Sequence, residues 1–135
     1  MAEPDQSVII SVPTSWTPSM REVFAEEVID FIQTRTESGL DINNKPFKAY
    51  ADSYKDSTEF QLAGKGNTVD LQFTSDMLFS LEMLSQGRGF VRIGAGDQFA
   101  NDKIAFNKAK GRQFLGVNSA DRRKLINRVE AAFGV

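Results

Sequence analysis

Apolar residues recur along this chain with two different periods, and the places where the period changes predict its elements. Val8, Ile9, Ile10 and Val12 form a short run that stops at Pro13, which reads as a strand from Ser7 to Val12. Ser15-Trp16-Thr17-Pro18 then opens a helix, with Thr17 as cap and Pro18 at the first helical position, where its missing N–H costs nothing. Met20, Val23, Phe24, Val28, Phe31 and Ile32 follow the helical period over about 18–37, and Gly39 is the natural stop. Further on, Val69, Leu71 and Phe73 alternate with Asp70 and Gln72, the pattern of a half-buried strand. At Thr74 the period changes: Met77, Leu78, Leu81 and Leu84 recur at helical spacing, with Thr74 as cap and Asp76 in the first turn. This strand-to-helix corner is expected to anchor the core, with Ser85-Gln86-Gly87-Arg88-Gly89 ending its helix.

Phe90-Val91-Arg92-Ile93-Gly94 reads as a second core strand with Arg92 facing out. Gly94-Ala95-Gly96 reads as a turn, since the third glycine of a dinucleotide fingerprint is missing and no βαβ unit surrounds it. Asp97 can cap a helix over about 98–109 with Phe99, Ile104, Ala105 and Phe106 as its apolar positions. Gln113 to Val117 is a short apolar run, strand or turn. Asn118-Ser119 opens a last helix, about 120–132, with Leu125, Ile126, Val129 and Phe133 inward and Arg122, Arg123, Lys124 and Arg128 outward; Gly134 closes it. Between Leu40 and Gly66 the pattern fades into a loop-rich insertion, expected to hold a turn at Asn43-Asn44-Lys45-Pro46 and a short helix carrying Tyr50 and Tyr54 on one face. The expected class is α+β, a small, mostly antiparallel sheet packed against the long N-terminal helix and further helices. A chain of 135 residues fits one domain, 1–135.

Composition narrows the chemistry. The chain has no Cys and no His, which removes disulfides, thiolate metal sites and Ser-His or Cys-His catalysis. Gly64-Lys65-Gly66-Asn67 lacks the spacing of a phosphate loop. Glu22, Glu26, Glu27 and Asp30 read as a solvated helix face rather than a metal site. No cofactor is expected. The start is acidic and polar, unlike a secretory signal, and no apolar run approaches the ~20 residues of a membrane span, so the reading is a chain made in the cytoplasm with no membrane partner. Charge is segregated: residues 1–87 carry 6 Lys and Arg against 14 Asp and Glu, and residues 88–135 carry 10 against 4. The two halves therefore stand at −8 and +6. Such a split suits a basic face for nucleic acid, or two surfaces that attract each other across copies in a ring, or merely more solvated Lys and Arg in one half.

Three segments together resemble a known family. Lys45-Pro46-Phe47-Lys48-Ala49-Tyr50 with Tyr54-Lys55 resembles the Pro-Phe…Tyr…Tyr region of the virion-morphogenesis, or tail-completion, proteins of tailed phages, which sit at the neck between head and tail. Val69-Asp70-Leu71-Gln72-Phe73-Thr74-Ser75-Asp76-Met77-Leu78 resembles that family's Val-Asp-Leu-x-x-Thr-Gly-Asp-Met-Leu segment, with Ser75 in place of Gly. Arg112-Gln113-Phe114-Leu115-Gly116 with Ser119 and Asp121 resembles its Arg-x-Phe-Leu-Gly signature, and the order of the segments matches across roughly 45–121.

The resemblance implies a structural virion protein and not an enzyme: a subunit of a homo-oligomeric ring, sixfold or twelvefold, that joins head to tail around the DNA channel. Its implied neighbours are portal, adaptor or tail proteins and the packaged DNA. Arg88, Arg92, Lys103, Lys108, Lys110 and Arg112 are the candidates for a basic surface facing DNA or an acidic neighbouring subunit. Arg112 equally suits an ion pair with Asp121. Two other classes are carried forward. One is a small DNA-binding module using Arg122, Arg123, Lys124 and Arg128 of the basic C-terminal helix; the other is a carboxylate-dependent hydrolase using Asp70, Asp76 and Glu82.

Overall fold

A computed structural model describes residues 6–46, 79–96, 100–102, 104–105 and 113–135. The expected strand Val69–Phe73, the expected helix cap Thr74 and the tyrosine pair Tyr50 and Tyr54 lie outside the described residues. The described elements are β1 (Ser7–Ser11), α1 (Pro18–Glu37), β2 (Leu81–Gly87), β3 (Phe90–Ala95) and α2 (Ser119–Ala132). Residues 100–102 and 104–105 are helical, within the stretch predicted as a helix. The class is α+β: an antiparallel sheet of order β1-β3-β2 with α1 packed against it. No described helix is long and apolar enough to cross a membrane.

Helix α1 begins and ends where local chemistry directs. Thr17 Oγ1 accepts from the Met20 N–H at 3.3 Å, and Pro18 follows at the first helical position. At the other end Gly39 takes φ +82°, the Gly39 N–H reaches the Thr36 carbonyl and the Leu40 N–H reaches that of Arg35. That pair of bonds is a Schellman stop, and the left-handed residue it requires is cheapest as glycine. Met20, Phe24, Ala25, Val28 and Ile32 are buried, while Val23 and Phe31 pack at the edge of the stripe. Replacing Thr17 by alanine should lower stability by about 1 kcal/mol, read as a shift in the urea midpoint at constant slope.

The sheet overturns one expectation. Leu81 and Leu84 do not continue a helix from Thr74: residue 79 is helical, but Leu81–Gly87 is strand β2. The physical reason is pairing. Leu81 and Met83 sit opposite Ala95 and Ile93, and burying that face against α1 outweighs a helical spacing that also fits the four leucine and methionine positions. Accordingly, Ser85 to Gly89 is not a helix end. Gly87 pairs with Phe90, and Arg88-Gly89 is the two-residue turn of a hairpin. Leu84 is the extra residue of a bulge between Met83 and Ser85. The Gly94-Ala95-Gly96 turn is corrected in the same way. Strand β3 runs through Ala95, which is buried opposite Leu81.

The sheet has one dry face and one open face. Val8 and Ile10 of β1, Leu81 and Met83 of β2, and Val91, Ile93 and Ala95 of β3 pack inward. Arg92 lies between Val91 and Ile93 on the other face, as the alternation predicts. Its register partners there are Ile9, 65% exposed, and Ser85. Leu84 lies on that outer face across Gly94, where a Cβ would meet Leu84, Ser7 and the Gln6 carbonyl.

Helix α2 completes the core beside α1. Asn118 Oδ1 caps it through the Asp121 N–H at 2.8 Å, and Gly134, φ +74°, ends it with a second Schellman pattern. Leu125 and Val129 are buried and Ile126 partly so. Phe133, expected inward, is 43% exposed because it is the C-cap residue, one step beyond the end of the helix.

Candidate functional site

Of the six basic candidates, Arg88 and Arg92 are described; Lys103, Lys108, Lys110 and Arg112 lie outside the described residues. Strand β3 carries Arg92 at the centre of the sheet's outer face, where its Nε donates to Ser7 Oγ of β1 at 3.0 Å. This bond fixes the guanidinium plane and leaves the Nη nitrogens without a partner among the described residues. Arg88 is exposed at the tip of the β2–β3 hairpin. The hairpin thus carries both cations, with Ile9, Leu84 and Phe90 beside Arg92 as the apolar part of the same face.

Two of the four residues of the second basic group make contacts within the fold. Arg122 donates to the Ser11 carbonyl of β1 at 3.1 Å, and Arg128 pairs with Glu27 of α1 at 3.1 Å. The latter pair is well exposed and contributes ~0–1 kcal/mol, so it guides docking more than it stabilises. Arg123 and Lys124 remain exposed. Of the three carboxylates considered for a hydrolase, Glu82 is exposed on β2, while Asp70 and Asp76 lie outside the described residues. Glu22, Glu26 and Asp30 of α1 are exposed on the side away from the core.

The most constrained polar group was not anticipated. Arg35, at the end of α1, is 4% exposed. Its Nη2 donates to the Phe114 carbonyl, its Cζ lies 5.5 Å from the centroid of the Phe31 ring, and its Nε and Nη1 have no partner among the described residues. Burial pushes its pKa below the ordinary arginine value, while Asp121 and Asp41 pull it back up. Asp121, itself buried, accepts from Asn44 Nδ2 at 3.0 Å, and Asn118 Nδ2 donates to the Ile42 carbonyl at 3.1 Å. The Ile42 N–H in turn reaches the Gln113 carbonyl at 2.9 Å. The end of α1, the 40–46 turn, the 113–117 segment and the start of α2 are therefore tied at one point. The described partners of Asp121 are Asn44 and, through space, Arg35; the Arg112 pairing falls outside the described residues.

A signal for Arg35 existed in the sequence. It stands seven residues after Val28 and three after Ile32, inside the apolar stripe of α1. Its partner carbonyl belongs to Phe114, 79 residues away, and no local pattern announces it.

The segment 113–117 is neither strand nor simple loop. Phe114 is buried, and Gly116 takes φ +135° with Ile42 against the position a Cβ would fill, so a side chain there would be strained and crowded. Beside it lies a cavity of about 200 Å³, lined by Gln6, Ser7, Val8, Ile104, Gln113, Phe114 and Leu115, none of them ionisable. Asn101, also buried, closes one end of β1: its Oδ1 accepts from the Gln6 N–H at 2.8 Å and its Nδ2 donates to the Ala95 carbonyl at 3.2 Å.

This geometry offers a rigid scaffold, a mixed apolar and cationic sheet face, and an acidic helix face. No family model, no curated protein and no solved structure matches the chain.

Proposed function

We propose that this chain is a structural virion protein of a tailed bacteriophage, one subunit of a neck or tail-completion ring that joins head to tail around the DNA channel. The observation that carries the reading is the ordered set of three segments across roughly 45–121 that resembles the tail-completion family. The arrangement of the last segment supports it. Phe114 to Gly116 is built into the framework, with the Phe114 carbonyl taken by buried Arg35, as suits a part that holds shape rather than one that reacts. The subunit is made in the host cytoplasm and ends in the particle, beside portal, adaptor or tail proteins and the packaged DNA. Backbone phosphate attraction suits a channel that any sequence must slide through.

The alternative, a free DNA-binding module on α2, is weakened by the contacts of Arg122 with Ser11 and of Arg128 with Glu27, which leave Arg123 and Lys124 as the exposed cations of that set with no ion pair among the described residues. A gel shift on random duplex at two salt concentrations separates the readings. A free binder gives ~10⁻⁴–10⁻⁶ M affinity that falls steeply with salt; an isolated neck subunit gives no such shift.

The decisive measurement is protein composition of purified particles. The chain should be present in stoichiometric amounts, and infection without it should yield filled heads and separate tails. Particles that assemble and infect without it would end the proposal. Native mass spectrometry of the purified chain then assigns subunit number as a multiple of its 15.0 kDa mass.

A further inference from the structure

We infer that the contact between neighbouring copies is made by two different faces, the outer sheet face of one and the acidic face of α1 on the next. The inference rests on the ring reading and names the surfaces it would use.

The first face is the open side of the sheet. Ile9 is 65% exposed there, beside half-buried Leu84, Phe90 and Arg92, with Arg88 at the hairpin tip. Among the described residues Glu82 is the carboxylate on the same face, and it lies near Gly96, at the end of the hairpin opposite Arg88. One fixed cation among apolar side chains, with a carboxylate at the margin, is a poor track for phosphates and a good seat for a carboxylate-bearing protein surface.

The second face is the solvent side of α1. Glu22, Glu26 and Asp30 follow at intervals of four, and Glu37 comes seven residues later; all four are exposed. On a helix these positions fall within about 80° of one another, opposite the buried stripe of Phe24, Val28 and Ile32. None of the four has an ion-pair partner among the described residues; the ion pair of α1, Glu27 with Arg128, lies on its flank toward α2. Four like charges in line repel one another, so a cationic surface laid over them gains more than it would over a mixed face.

These faces cannot meet within one chain. Helix α1 packs against the inner side of the sheet, so its acidic row and the outer sheet face look in opposite directions. A second copy brings them together. The spacing agrees: Arg88 and Arg92 are four residues apart, at most about 13 Å along a strand, and Glu22 and Asp30 are eight residues apart, about 12 Å along a helix. Because the two patches differ, the contact is heterologous. Each added copy presents the same pair of open faces, and the series ends only by closing.

The test uses the full chain in sedimentation equilibrium and native mass spectrometry. One variant reverses the helix face (Glu22→Lys, Glu26→Lys, Asp30→Lys) and another reverses the sheet face (Arg88→Glu, Arg92→Glu). Arg88→Glu alone serves as a second sheet-face variant, since Arg92 also bonds Ser7. Each reversal should weaken self-association by about tenfold or more, with unfolding curves close to the parent's. An equimolar mixture of the two multiple variants should reassemble, because each then supplies the charge the other's altered face requires. Assembly that persists in both variants, or a mixture that stays dissociated, overturns this interface and leaves the ring reading standing. A parent chain that is monomeric at every concentration also overturns it, and the ring reading is then judged separately by the particle composition described above.

Discussion

Replacing Phe24 by alanine should cost about 4 kcal/mol, the largest effect expected of any single change in the described residues. Phe24 is wholly buried near the middle of α1 and meets Trp16 edge-on, with ring centroids 5.4 Å apart and planes at 71°. The alanine removes a full aromatic side chain and leaves a cavity between α1 and the sheet that rigid neighbours such as Val91 and Ile93 cannot fill. It also strands Trp16, whose Nε1 is held to Glu130 of α2 at 3.3 Å, so the loss reaches the helix–helix contact as well. Against a total of ~5–15 kcal/mol for a domain of this kind, that loss is a large share. Urea unfolding should show a lower midpoint with an unchanged slope, and Phe24→Leu should recover more than half of the loss. An alanine variant within about 1 kcal/mol of the parent would mean that α1 does not pack on the sheet through this residue.

Arg35→Ala should cost about 3 kcal/mol, and Arg35→Met about 1 kcal/mol or less. The two substitutions differ in what they remove. Alanine deletes the aliphatic stem against Phe31 and leaves the Phe114 carbonyl buried without its donor. Methionine keeps most of the volume and removes a charge whose Nε and Nη1 lack partners among the described residues, so a desolvation cost is relieved as a hydrogen bond is lost. The same residue has a pH signature. Burial holds its pKa below the unfolded value, with Asp121 and Asp41 opposing. The unfolded chain therefore keeps this proton more readily than the folded one. The penalty is fully present below the folded pKa and lifts as pH rises through the alkaline window toward arginine's ordinary value. Urea midpoints of the parent and of Arg35→Met, compared at rising alkaline pH, should draw apart in the parent's favour. A constant or narrowing difference would remove this account.

Much of the helical framework was legible because its signals are local. The cap and N1 pair Thr17-Pro18, the glycine stops at 39 and 134, and the stripe from Met20 to Ile32 each depend on residues a turn or two apart. The alternation Val91-Arg92-Ile93 likewise exposed the central strand. The corner expected at Thr74 lies outside the described residues, and residue 79 is helical; what failed is the continuation of that helix through Leu81 and Leu84, which satisfy a helical period and a strand equally over so short a stretch. What decides is the partner strand, together with a turn at Arg88-Gly89 that local reading assigned to a helix end. The candidate surface was legible only in part. Arg92 was placed facing out, and the register then set it beside Ile9 and Ser85. Arg128 lies outward as expected, but the surface contacts of Arg122 with β1 and of Arg128 with α1 were not legible.

The amino-acid order by itself determined the span of α1, the existence of β1, β3 and α2, the separation of charge between the two halves, and the chemistries that a chain without His or Cys cannot perform. Tertiary structure alone decided that 81–87 is a strand, that Arg35 is buried beneath the Phe114 carbonyl, and that the acidic row and the open sheet face lie back to back. The reason is range. Caps, stops and periods are satisfied within a few residues, whereas strand pairing and the burial of a charge depend on groups dozens of positions away, whose arrival no local pattern records.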